Sequence, residues 1–181
     1  MNKFAALVPA VTGALALIMI APAAAVPPDE LQALQAATAR YHSVDQAQAA
    51  GYSLAGEPCV QEAAGAMGIH AVNATLAGDL AVDPDRPDIL LYLPDKNGDL
   101  KLIGVEYFMV ALTASGPWFG PTPPPSGFVN PAPSVFGHTF DGPMPGHNPA
   151  MPWHYDLHVW VWADNPAGMF APFNPTLSCP S

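Results

Sequence analysis

Residues 154–162, with the sequence HYDLHVWVW, alternate in a way that predicts a β-strand with two unlike faces. Successive strand side chains point to opposite sides, so one face is apolar and the other carries His154, Asp156 and His158. Residues two apart on a strand lie roughly 6.6 Å apart, so either histidine can share a metal ion with Asp156. The two histidines lie roughly 13 Å apart on a straight strand, and one ion cannot bind both without a bulge.

Glu106, on a different predicted strand, is the second candidate for a metal site. It lies in the run LKLIGVEYFMV, where both faces of a strand would be apolar, as in a strand that is covered on both sides. Because a lone ionised carboxylate is costly there, Glu106 must be protonated, paired or bound to a metal. His70, in the predicted short strand MGIHAV at residues 67–72, is the third candidate.

Two imidazoles and one carboxylate are ligands for zinc, copper, iron or manganese, and they leave coordination positions open for water or substrate. We therefore predict a metal centre formed by His70, Glu106 and His158, with zinc or copper as the ion. His154 and Asp156 are reserve ligands, or outer partners that orient the ligands. The alternative is a self-satisfied polar network, since buried His and Glu residues are often purely structural.

A proline-stiffened segment before this strand, GPMPGHNPAMPWH, supplies further candidate ligands. Thioether and imidazole groups bind copper, and thioether groups suit Cu(I) in particular. Met144, His147 and Met151 are therefore candidate ligand-binding residues. The alternative, which the Met-Pro turns favour, is that both methionines fill gaps beneath a loop. His138, in FGHTFDG, is an outer candidate.

The N-terminus is typical of a secretory signal peptide. MNKF leads into an apolar run that ends at Ile20, and APAAAV supplies a cleavage site after Ala25. A retained membrane anchor is the alternative, but Pro9 and Gly13 interrupt the run. We therefore predict a signal peptide over residues 1–25 and a single exported domain over residues 26–181, either periplasmic or secreted.

Charge limits the partners of the exported domain. Without Lys3, four basic residues stand against fifteen acidic ones, which gives a formal net charge of −11 with histidine neutral. Nucleic acid and anionic membrane surfaces need clustered Lys and Arg, so both are excluded as partners. A metal ion or a small molecule is expected instead, and the composition leaves the oligomeric state open.

The two cysteines, Cys59 and Cys179, are expected to form a disulfide. An even count in an exported protein favours pairing. On the chain-entropy model, such a long closed loop would stabilise the protein by roughly 4–5 kcal/mol. Two buried thiols, or Cys59 as a metal ligand, are the alternatives.

The helices and strands that the sequence predicts around these residues indicate an α+β fold. Residues 29–50 have helical spacing, Ser43 and Gln46 form a capping box, and His42 is expected on the surface between two helices. Asn97-Gly98 between apolar runs predicts a hairpin with a type I′ turn. Residues 117–152 contain eleven prolines interleaved with aromatic residues, which predicts a long ordered loop. The expected architecture is an N-terminal helical pair packed on a mainly antiparallel β-sheet of about five strands, with this proline-rich loop.

The combination of MGIHAVN, GVEY, GPMPGH, HYDLHVWVW and NPAGMF resembles a group of uncharacterised exported bacterial proteins. The resemblance covers nearly the whole exported domain and implies a bacterial exported protein, but that group has no established activity to assign to a residue. The residues themselves predict an exported metal-binding protein, and a metalloenzyme of unknown substrate is compatible with them. The alternative is a non-catalytic secreted binding or structural module whose His, Asp and Glu residues satisfy one another.

Overall fold

The computed structural model describes residues 28–54, 58–147 and 150–180. The predicted signal peptide over residues 1–25 lies outside the described residues, so its cleavage remains a prediction. No helix among the described residues is long and apolar enough to cross a membrane.

The helices are few and short. They are α1 (Pro28–Thr38), a 3-10 turn (Ala39–His42), α2 (Val44–Ala49) and α3 (Ala74–Ala77). Ser43 caps α2 as predicted, because its side chain accepts a hydrogen bond from the Gln46 amide. Asn73 caps α3 in the same way by accepting from the amides of Thr75 and Leu76.

Ten strands lie within the described residues: β1 (Val60–Glu62), β2 (Gly65–Val72), β3 (Ile89–Pro94), β4 (Leu100–Val110), β5 (Leu112–Thr113), β6 (Gly116–Pro117), β7 (Ser134–Val135), β8 (His138–Thr139), β9 (Asp141–Met144) and β10 (His154–Val159). Six of them form one antiparallel sheet in the order β1-β2-β3-β4-β10-β9. The predicted α+β class with a mainly antiparallel sheet is therefore confirmed, with six strands instead of about five. Strand β9 contains Pro143, which is tolerated because β9 lies at the edge of the sheet.

The β3–β4 hairpin forms as predicted, but the prediction of a type I′ turn is wrong. That turn needs positive φ at both central residues, and Asn97 is not among the described non-glycine residues with positive φ. The Gly98 amide donates to the Asp95 carbonyl instead, and the Asp95 amide donates to the Asp99 carbonyl. The Asp95 carboxylate accepts from the amides of Asn97 and Asp99, which stabilises this longer loop.

The two faces of the sheet carry different side chains, as the alternation of β10 predicts. Tyr155, Leu157 and Val159 belong to the main core, to which helix α1 contributes Leu34. The opposite face carries a smaller apolar cluster together with buried polar side chains. Strand β10 ends at Val159 and is therefore shorter than predicted. The Trp160 amide donates to the Met169 carbonyl, which lies outside the sheet.

The helical region contacts the main core through several hydrogen bonds. The Tyr92 hydroxyl donates to the Tyr41 carbonyl, and the Gln35 side chain donates to the Val161 carbonyl. The helical pair as one packed unit and a single ordered loop over residues 117–152 remain predictions. Residues 148–149 of that loop lie outside the described residues.

Cys59 and Cys179 form the predicted disulfide, which joins residues 120 positions apart in the sequence. The alternatives, two free thiols or Cys59 as a metal ligand, are therefore wrong. The Cys179 amide also donates to the Gln61 side chain, so the C-terminal segment is held beside β1 at the edge of the sheet.

Candidate metal centre

Three strands bring the predicted ligands to one face of the sheet. Glu106 on β4 is directly opposite His158 on β10, because these residues pair in the antiparallel ladder. His70 on β2 pairs with Leu91 of β3, and its ring reaches Glu106 diagonally across that strand. Two strand spacings amount to about 9.6 Å between backbones, a gap that a histidine and a glutamate can bridge together.

The Glu106 carboxylate lies at the centre of the cluster. Its Oε2 atom is 3.1 Å from His70 Nε2 and 3.6 Å from His158 Nε2. One ligand atom from each of these three residues lies within 4.8 Å of the other two. Ligand atoms around a tetrahedral zinc ion with bonds of 2.0–2.2 Å lie about 3.4 Å apart, which is close to the two distances from Glu106 Oε2. No other group of His, Cys, Asp or Glu meets this criterion within the described residues.

The cluster is buried and incompletely hydrogen-bonded. Glu106 is 2% exposed and His158 is 1% exposed. Among the described residues, four buried atoms have no hydrogen-bond partner: Glu106 Oε2, His154 Nε2, Asp156 Oδ1 and His158 Nε2. The histidines lie at ion-pair distance from Glu106 Oε2, but these contacts do not give that oxygen a hydrogen bond. Since an unpaired buried polar group costs about 1–3 kcal/mol, four of them in one cluster need an explanation.

The charges in the cluster keep Glu106 ionised. Burial raises the pKa of Glu106, but the positive charges of His158 and His70 outweigh burial and lower it below its ordinary value. The carboxylate is therefore deprotonated at neutral pH. This is the form of the carboxylate that binds a metal ion. An ion would bind it together with neutral imidazoles, so the charge of the ion would replace the positive charges of the two histidines.

Asp156 and His154 lie behind the three clustered residues. Asp156 Oδ1 is 4.0 Å from His158 Nδ1, and Asp156 Oδ2 is 3.4 Å from His154 Nε2. The His154 ring stacks on Phe108, and its Nδ1 atom is 3.1 Å from the Pro152 carbonyl oxygen. Neither residue belongs to the group within 4.8 Å, so their position suits an outer role beside the His158 ring.

The residues predicted from the proline-rich segment lie around the same cluster. The His147 ring centroid is 6.4 Å from that of His70 and 6.3 Å from that of His154. Burial lowers the pKa of His147, which favours the neutral imidazole that can bind a metal. Met151 lines the same cavity as His147, and Met144 pairs with His154 across the β9–β10 ladder.

Two other histidines lie away from the cluster. His138 stacks on Phe170, with 3.8 Å between ring centroids. His42 is exposed, as predicted, and its ring contacts Trp162.

Asp88 is a buried carboxylate beside the site that sequence reasoning missed. It is 3% exposed, and its Oδ2 atom accepts a hydrogen bond from the Phe108 amide, two residues beyond Glu106. Burial raises the pKa of Asp88 to about 6. The signal was present in the sequence as an acid immediately before the apolar run of β3, but an acid there is also typical of an exposed turn.

No family model, curated protein or solved structure matches this chain. What the site can do follows from its own ligands. Two imidazole nitrogens and one carboxylate oxygen can hold an ion while coordination positions stay open for water or substrate. An ion with open positions can act as a Lewis acid or, if it is redox-active, as a redox centre.

Proposed function

We propose that this protein is an exported metal-binding protein whose ion is held by His70, Glu106 and His158, with zinc or copper as the metal. The observation that carries the proposal is the convergence of three potential ligand atoms within 4.8 Å in a buried cluster. An ion at that point would use Glu106 Oε2 and His158 Nε2, two of the atoms that lack hydrogen-bond partners. The disulfide fits an oxidising compartment outside the cytoplasm.

A catalytic role would follow from the open coordination positions. A divalent ion lowers the pKa of bound water and polarises oxygen atoms of a substrate. Asp156 would orient the His158 ring from behind, and His147 lies close enough to face a molecule bound beside His70. We therefore propose a metalloenzyme as the finer form of this function.

The second candidate is a non-catalytic module with a structural polar cluster. The short distances from Glu106 to His70 and His158 favour it, because an ion pair can stabilise a buried carboxylate without metal. The four atoms without hydrogen-bond partners count against it, since a structural network normally pairs its members.

Metal analysis of tag-free protein tests the proposal. We expect stoichiometric zinc or copper, a lower melting temperature after chelation, and recovery of that temperature when the ion is added back. A ligand at 100 times its Kd stabilises the folded state by about 2.7 kcal/mol, which a melting curve resolves.

Variants then locate the site. His158→Ala and Glu106→Gln should each abolish tight binding, because each removes one of three ligands. His42→Ala, a substitution at an exposed histidine, is the matched control and should bind normally. The metal proposal fails if the purified protein contains no stoichiometric ion and its melting temperature does not change when metal is added. The proposed location is wrong if His42→Ala weakens binding as much as the other two.

A further inference from the structure

We propose that the cavity beside the candidate metal centre binds a small molecule that has an apolar body and one anionic oxygen-donor head. The head would bind the ion, and the body would fill the cavity. This inference rests on the proposed function and adds the chemical class of its ligand.

The cavity has the size and lining of a small-molecule site. Its volume is about 480 Å³, within the 300–1,000 Å³ range that is usual for ligand pockets. Most of its wall is apolar, formed by residues such as Val72, Ala77, Ile89, Phe108, Val110 and Met151. A ligand that fills this space must therefore present mainly apolar surface.

The polar lining groups occupy one region of the wall. They are the side chains of His70, Glu106 and His147. His70 lies 3.1 Å from Glu106, and its ring centroid is 6.4 Å from that of His147. Among the described residues, the rest of the lining is apolar or glycine, so a second polar group on the ligand would lie unpaired against that part of the wall. The cavity therefore favours a ligand with polarity at one end only.

The charge of the site selects an anionic head. A divalent ion with Glu106 as its one carboxylate ligand leaves a charge of about +1 on the ion and its ligands. Asp156, whose carboxylate partly offsets this charge, lies beside His158 and is not among the lining residues of the cavity. The part of the chain that the structure describes contributes no Lys or Arg to the cavity lining, so the ion would be the group that attracts an anion. A carboxylate oxygen is also a suitable ligand for zinc.

The shape of the wall favours an extended body. Glu106, Phe108 and Val110 all line the cavity and alternate along β4. Their spacing covers roughly 13 Å along the strand. A straight alkyl chain with its head at Glu106 would lie along this row, so a medium-chain fatty acid is the natural probe.

Three probes separate the contributions of head and body. Octanoate carries both, octan-1-ol carries the body without the charge, and acetate carries the head alone. Binding of each is measured by isothermal titration calorimetry on metal-free and on zinc-loaded protein. We expect zinc to tighten octanoate binding by about tenfold or more, to leave octan-1-ol binding unchanged, and acetate to bind far more weakly than octanoate.

A cavity-filling variant locates the body of the ligand. Ala77→Phe places a ring in the cavity and should weaken octanoate binding by about tenfold while zinc binding is unchanged. Ala36→Phe, on the exposed side of α1, is the matched control and should bind octanoate normally. If Ala77→Phe does not fold, Ala74→Phe at the exposed start of α3 fills the same cavity.

The outcomes distinguish this inference from the proposed function. If zinc binds stoichiometrically but octanoate binds no better to the loaded protein than to the metal-free one, this inference is overturned and the metal site stands. The inference is also overturned if octanoate binds no more tightly than acetate, or if the cavity-filling variant binds octanoate as tightly as the parent protein does. If no metal binds, both proposals fail together, and the metal titration alone reports that.

Discussion

At the scale of single residues, we propose that Asp156 supports the His158 ring through its charge, from the Nδ1 side and beyond hydrogen-bond distance. Its carboxylate lies between two imidazoles, 3.4 Å from His154 Nε2 and 4.0 Å from His158 Nδ1. A carboxylate behind a ligand histidine fixes the orientation and tautomer of the ring and raises its basicity. We therefore propose that the row of alternating histidines and acid on β10 supplies one ligand, His158, with Asp156 and His154 as outer partners.

We predict that Asp156→Asn lowers zinc affinity by about 10–100-fold, because the amide keeps the size of the side chain but loses the charge that supports His158. The measurement is a competition titration against a chelator of known affinity. Asp99→Asn, in the exposed hairpin loop, is the matched control and should leave affinity unchanged. Equal affinities for Asp156→Asn and the parent protein, with both folded, would show that His158 needs no such support.

At the scale of elements, a glycine allows β2 to approach β3 closely beside the site. Gly68 lies two residues before His70, and its φ of 96° is one that residues with a Cβ rarely adopt. A Cβ at this position would lie 2.5 Å from the Tyr92 carbonyl oxygen and 3.1 Å from Ile103 Cδ1. The close approach of β2 to β3 at this point helps to position the His70 ring.

Gly68→Ala should therefore destabilise the protein more than Gly98→Ala does. Both glycines have positive φ, which costs about 1–2 kcal/mol for a residue with a Cβ. Gly98 has open space around it, whereas Gly68 faces backbone, so its substitution adds an overpacking cost of about 1–3 kcal/mol. Urea unfolding of the two variants measures the difference. Equal losses of stability would mean that β2 can move away from Tyr92 without cost.

The three candidate ligands could be chosen from the sequence because the signals that single them out are local. Period-two alternation placed His158 on a buried face, and an acid within an apolar strand marked Glu106 as a residue that needs a partner. His70, on another predicted strand, is the third candidate ligand and the second imidazole. The register that brings the three together depends on pairing between distant strands, which no local pattern specifies.

Other features depend on contacts that the sequence pattern does not contain. The Asp95 side chain, two residues before Asn97, determined the hairpin loop. Strand β9 could not be predicted because it contains Pro143. A proline is compatible with a strand at the edge of a sheet, and the sequence pattern does not show which strands lie at an edge. Asp88 was overlooked because its partner, the Phe108 amide, lies twenty residues away.

At the scale of the whole molecule, the disulfide encloses the sheet that carries the site. Cys59 precedes β1 and Cys179 lies near the C-terminus, so all strands that supply candidate ligands lie within the closed loop. A crosslink of this length acts mainly on the unfolded chain, whose freedom it reduces. The site itself is held by the pairing of β2, β3, β4 and β10.

The double variant Cys59→Ser/Cys179→Ser should therefore lose stability without losing its metal. On the chain-entropy model, the free energy of unfolding falls by roughly 4–5 kcal/mol, measured by urea unfolding of the metal-free protein. Zinc affinity, measured below the unfolding transition, should equal that of the parent because the three candidate ligands lie on strands β2, β4 and β10, which the sheet holds together. Added zinc should then raise the melting temperatures of variant and parent by mass action on the folded state. A folded variant with weakened zinc affinity would show instead that the crosslink positions β2, and through it His70.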